Sequence, residues 1–311
     1  MNLRHNFAVV CLLLLAPLSR ADVLRGAILR PTTIYVSPDS RSARLGDLDR
    51  GREVVVLETS REWTHVSANA TEERVVTGWI LDRDAVKSTT PDGDKILFGE
   101  AVDSEDQASQ RHGRKDAAQD AFRLYFEINE VFPNSSMAGE ALYRAADIRW
   151  QIDRADVMSR PSAKEKEAYL REGMNEELMK KVIKKFPGTK WADLAAFHLI
   201  ENKLCGDWQA EAKCPSKEAE MYENYAKDHP NSPALSEALY DAAWRYGALI
   251  DIYKTEDQQK KADASKAKAI AIAQKVVSQS PQGDWGTRAQ RLLYFIQQGI
   301  PVYGNGGSGQ P

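Results

Sequence analysis

The chain has 311 residues, with 42 Lys or Arg against 45 Asp or Glu, for a formal net charge of −3. At 42% hydrophobic and 28% charged it has the composition of a folded globular protein. The slightly acidic balance gives no reason to expect nucleic acid or an anionic membrane surface as a partner.

The first residues predict export. Arg4 and His5 make a short polar start, and Phe7 to Leu18 is an apolar run of twelve. Such a run is too short to cross a bilayer comfortably. Ser19-Arg20-Ala21 places small residues at the −3 and −1 positions of a cleavage site. Residues 1–21 are therefore predicted to be a secretory signal peptide, cleaved after Ala21. Cleavage deletes Arg4 and Arg20 and no acid, leaving 40 basic against 45 acidic residues, and leaves no transmembrane span. Cys11 lacks small residues before it and a polar start after it, so lipidation is not expected. The predicted location is periplasmic or extracellular.

Residues 22–87 read as short β-strands. Ile34-Tyr35-Val36 leads into the turn Ser37-Pro38-Asp39. Leu45-Gly46-Asp47-Leu48 leads to Arg50-Gly51, then to the apolar run Val54 to Leu57. Trp63-Thr64-His65-Val66 and Gly78-Trp79-Ile80 follow. Several strands at regular intervals suggest a small barrel. This order of Pro turn, Leu-Gly-x-Leu-x-x-Gly, apolar strand, Trp strand and Gly-Trp-Ile resembles the bacterial SH3-like domain. The resemblance implies a module that binds peptidoglycan, peptides or other proteins. Tyr35, Trp63 and Trp79 are its candidate ligand face. The competing reading puts the tryptophans in the core, and Trp79 is expected there.

Residues 88–94 form a polar connector, and residues 95–298 read as helices. Residues 95–110 with Gly113 predict an opening helix and turn. One phrase then recurs: FPNSSMAGEALY from Phe132, FPGTKWADLAAF from Phe186, HPNSPALSEALY from His229, and a worn SPQGDWGTRAQR from Ser280. Before each copy, apolar residues mark one helix face, such as Leu124, Tyr125 and Ile128. The proline ends that helix, because it disfavours helical backbone in the residue before it. Ser135, Thr189 and Ser232 then have the chemistry to cap the next helix. The following helix carries small residues (Ala138 with Ala141, Ala192 with Ala195, Ala238) and a gap-filling aromatic, Tyr143, Phe197 or Tyr240. Stacked helix pairs with this signature usually bind macromolecules.

The repeat resembles tetratricopeptide repeats. More narrowly, it is similar to repeats in bacterial outer-membrane assembly lipoproteins and in the Tol-Pal-associated periplasmic coordinator. Pro133, Pro187, Pro230 and Pro281 lie 54, 43 and 51 residues apart, wider than the usual ~34. Extended helices over Glu140–Arg154 and Glu237–Tyr253 and an inserted loop over Leu204–Pro215 are the predicted cause. Residues 299–311 are expected to be a disordered Gly-rich tail.

Signal removal leaves Cys205 and Cys214, nine apart, which in an oxidising compartment read as a local disulfide between two helices of the third repeat. No His-Glu-x-x-His, Gly-x-Ser-x-Gly or phosphate-cradling glycine loop occurs. No enzyme activity, cofactor or metal is predicted. Trp150 with Arg149, and Trp244 with Arg245 beside Tyr240 and Tyr246, are candidate partner-binding anchors, since aromatics and arginine dominate interface energetics. Inter-repeat packing is the competing reading, and it is favoured for Tyr240. The fold class expected is an SH3-like barrel followed by an all-α tetratricopeptide-like solenoid. The function expected is non-catalytic binding and scaffolding in the cell envelope, with protein partners and, through the barrel, peptidoglycan. The alternative is a peptidoglycan-bound helper or regulator of cell-wall hydrolysis.

Overall fold

A computed structural model describes residues 23–71 and 74–303. The predicted signal peptide lies outside the described residues.

The N-terminal part is an antiparallel sheet of β1 (Arg25–Ile28), β2 (Thr32–Tyr35), β3 (Arg44–Leu48), β4 (Glu53–Ser60), β5 (Trp63–Asn69), β6 (Val75–Leu81) and β7 (Ala85–Lys87). The spatial order is β3-β2-β6-β5-β4-β1-β7. The sheet is open, with β3 and β7 at its two ends, so the expected barrel closure is not shown. β2 and β6 are joined by one register pair, Tyr35 with Trp79.

Side chains alternate across a strand, so parity decides which face each residue takes. Val66, Ala68, Val76 and Ile80 go inward with Ile28, Ile34, Leu48 and Val54. Gly78 shares that inward parity, and a Cβ there would come within 2.4 Å of the Tyr35 carbonyl oxygen. Trp63, His65 and Trp79 have the opposite parity and are half-buried on the outer face. The expectation of a core Trp79 is thus corrected: Gly78 and Ile80 occupy the inward positions on either side of it.

The helical part runs α1 (Gly93–Ser109), α2 (Ala117–Val131), α3 (Ala138–Ser159), α4 (Glu177–Lys185), α5 (Lys190–Glu201), α6 (Lys213–Asp228), α7 (Leu235–Thr255), α8 (Gln259–Gln279) and α9 (Asp284–Gln298). The four proline turns join α2 to α3, α4 to α5, α6 to α7 and α8 to α9. They share one conformation. Phe132, Phe186 and His229 end their helices with φ between −127° and −125° and ψ between 53° and 61°. Ser280 is close by, at −147° and 68°. In each turn the N–H three residues on returns to that residue's carbonyl, as from Ser135 to Phe132 and from Ser232 to His229.

Capping differs between copies. Thr189 caps α5 directly, its side chain accepting from the Ala192 N–H. Ser135 and Ser232 instead accept from the N–H two residues on, Met137 and Ala234, and their helices begin slightly later. These serines close a local turn, which competes with a true cap.

The long spacings have three visible causes, one of them the expected loop, which runs over residues 202–212 between α5 and α6. The second helices α3 and α7 run 22 and 21 residues. Residues 160–176, with two short 3-10 turns, separate α3 from α4. Each gap-filling aromatic reaches forward to the next unit: Tyr143 stacks on Trp191, Phe197 meets Tyr222 and Tyr225, and Tyr240 meets Trp285.

Sheet and helices share a core. Ala27 and Val86 pack with Leu97, Ala101, Ala121 and Leu124 in one buried cluster. Gly51, with φ +71°, sits against α2, where a Cβ would fall 2.5 Å from Arg123 Cβ. Arg50 bonds Glu100 of α1 at 2.6 Å. At the C-terminus, the expectation of a disordered tail from residue 299 is corrected over residues 299–303. Val302 is 3% exposed and its N–H donates to Asp251 Oδ2 at 3.0 Å, while Tyr303 stacks on Trp208. Residues 304–311 lie outside the described residues.

Candidate functional site

Four of the six anchor candidates fall into two places, and Arg149 and Trp150 lie in neither. Tyr35 and Trp63 meet on the outer face of the sheet, ring centroids 5.8 Å apart and edge to face. His65 stacks on Trp79 beside them at 4.7 Å. The second place is a cleft of about 360 Å³ in the helical part. Phe197, His198 and Glu201 of α5 line one side, and Glu237, Asp241, Trp244 and Arg245 of α7 line another. Trp208 from the loop between α5 and α6 and Glu218 of α6 complete the floor.

The floor is organised around Glu218, only 2% exposed. Its Oε2 accepts from Arg245 Nε at 2.8 Å. Its Oε1 accepts from the Cys205 N–H at 2.8 Å and from Trp208 Nε1 at 3.2 Å. The Arg245 guanidinium lies 4.5 Å from the Tyr222 ring centroid. A buried pair is tolerable only when its remaining hydrogen-bonding capacity is filled in this way. Burial pushes Asp241 up to about 7, against the pull of Arg245. Burial also raises Glu237, which His198 and Arg288 partly offset.

Cys205 and Cys214 form a disulfide. Cys205 follows α5 and Cys214 lies in the first turn of α6, so the bridge ties the second helix pair to the third. The expectation of a bridge inside the third repeat is corrected. The closed loop carries Trp208, which packs against Trp244 at 5.3 Å.

Trp244 and Arg245 are 6% and 5% exposed. They form the floor of the cleft, and their side chains are also core. Trp150 is 1% exposed and packs with Leu142 and Val157, which puts it in the core and not on a free surface. Its Nε1–H donates at 2.9 Å to Glu201, a residue of the cleft wall. Arg149 is exposed, pairs with Asp153 at 3.0 Å, and does not line the cleft. Reasoning on the sequence missed Glu218, Trp208 and Asp241. A tryptophan inside a polar cysteine-bounded loop was the available signal for Trp208.

Among the described residues, no group of three or more His, Cys, Asp and Glu side chains is placed to hold a metal ion. No helix among them is long and apolar enough to cross a membrane.

No protein-family model matches the chain, and no curated protein matches it. Among solved structures, a de novo designed helical repeat protein is similar to it at 16% identity, covering 67% of this chain and 94% of that one, with a TM-score of 0.23. A likeness that distant carries no argument about this chain.

Proposed function

We propose that this is an exported, non-catalytic binding and scaffold protein of the bacterial cell envelope, whose helix pairs form a tetratricopeptide-like stack that holds a partner protein. The observation that supports the reading is the cleft between successive helix pairs. It combines aromatic faces with charged groups, the residue types that anchor protein interfaces. The export signal and the envelope location rest on residues 1–21 alone.

A second reading has its own support. The outer aromatic row of Tyr35, Trp63, His65 and Trp79 suits a flat ligand, and in an SH3-like module it would serve a peptidoglycan-bound helper or regulator of wall hydrolysis. Sedimentation of the mature protein with insoluble peptidoglycan separates the two. Pelleting that is lost in Trp63→Ala supports the second reading. Cross-linking to a polypeptide from the helical cleft supports the first.

A further inference from the structure

We propose that the cleft takes one basic side chain, a Lys ammonium or an Arg guanidinium, from an extended segment of a partner protein, with Glu237 and Asp241 as its acceptors. This rests on reading the helical cleft as a protein-binding surface and names the partner's chemistry.

The carboxylates at one end of the cleft outnumber the cations paired with them. Glu237 and Asp241 stand one turn apart on α7 and both line the cleft. Like charges at that spacing repel each other. The cation one turn further on, Arg245, is already engaged: its Nε bonds Glu218, and its Nη1 lies 3.7 Å from Asp241 Oδ1. Asp241 is 5% exposed; Tyr222 hydrogen-bonds its carboxyl, yet Oδ1 is left with no hydrogen-bond donor. Among the described residues, no ion pair reaches Glu237; His198 and Arg288 act on it only through the field. One guanidinium therefore serves two carboxylates, Glu218 and Asp241, and Glu237 is left without a paired cation.

The other cations of the cleft are occupied too. Arg154 bonds Glu201, and Arg171 Nη1 donates to the Leu204 carbonyl at 2.8 Å. A buried acceptor left unpaired costs free energy that a charged donor would recover. An apolar or acidic occupant would leave Asp241 Oδ1 unpaired, and a neutral donor would leave the charge of Glu237 unmatched. Phe197 adds a ring face that attracts a cation. About 360 Å³ is at the low end for a bound ligand, which fits one long side chain better than a folded surface.

The test is selection of random twelve-residue peptides displayed against the immobilised full chain, followed by affinity measurement on the winners. The expected result is enrichment of Lys or Arg at one position, with roughly tenfold or greater weakening when that residue is replaced by norleucine. The same loss is expected for the original peptide on a Glu237→Gln, Asp241→Asn chain. Glu237→Gln alone, at a half-buried position, gives a partial loss and guards against a folding failure of the double variant. Peptides that cross-link to the cleft but show no basic preference would overturn this inference and leave the protein-binding reading standing. Failure to select any peptide that cross-links to the cleft would overturn both.

Discussion

Arg245→Met is the perturbation with the largest expected effect. The side chains of Arg245 and Glu218 are 6% and 2% exposed, so the substitution strands a carboxylate in the core. Breaking a buried pair by removing one partner costs about 3–5 kcal/mol. Glu218 keeps two donors, the Cys205 N–H and Trp208 Nε1, which places the expected cost near the lower end. For a unit of this size each kcal/mol moves the melting temperature by roughly 2–4 °C, so a drop of about 6–12 °C is expected. Thermal melting followed by far-ultraviolet circular dichroism at neutral pH reads it. Adding Glu218→Gln to Arg245→Met should recover much of the loss, because the uncompensated charge is gone. Arg149→Met, at an exposed ion pair, should stay within about 0.5 kcal/mol of the unmodified chain. An Arg245→Met protein melting within 2 °C of the unmodified chain would refute the assignment of this pair to the core.

Three further outcomes are expected. Cys205→Ser should lower stability by roughly 2–3 kcal/mol, the loop-closure entropy of so short a bridge, and mass spectrometry of non-reduced digests should find Cys205 and Cys214 joined in the unmodified protein; two free thiols would contradict this. Burial pushes Glu127 up to about 8, with Glu53 and Glu130 adding and Arg25 and Lys181 opposing. A carboxyl raised in the folded state favours folding only while protonated, so its contribution is lost as pH rises from about 4.5 toward 8. Glu127→Gln should flatten that decline and raise stability at pH 8 by on the order of 2–4 kcal/mol, read from urea unfolding at several pH values; an unchanged slope would count against it. Gly51→Ala should cost about 2 kcal/mol or more and lower sheet and helix signals in one transition, since its Cβ would strike α2; separate transitions would mean the shared core is not cooperative.

The helices were legible because their signals are local. The proline turn repeats as a phrase, and its residues adopt nearly the same backbone angles in each copy. The disulfide was legible from spacing and the expected compartment, although not which helix pairs it would join. That depended on α5 ending at Glu201, four residues before Cys205. The sheet was legible as strands but not as faces. A one-residue change of parity moves Trp79 from core to surface, and only the inward demand of Gly78 and Ile80 settles it. Anchor residues were the least legible. Trp150, Trp244 and Arg245 have interface chemistry, but their burial depends on partners far along the chain: Glu201 for Trp150, and Glu218 from α6 for Arg245. No local pattern encodes an ion pair 27 residues apart.

Cross-linking from the cleft tests the central claim most directly. A photoreactive amino acid in place of Met158, a cleft-lining residue 38% exposed, is compared with one in place of Tyr294, 56% exposed and absent from the cleft lining. Both proteins are irradiated in cells that make them. A scaffold that holds a protein in the cleft predicts one dominant polypeptide adduct from position 158 and weak, scattered adducts from position 294. Equal labelling at the two positions, or no polypeptide adduct from position 158, would contradict the account.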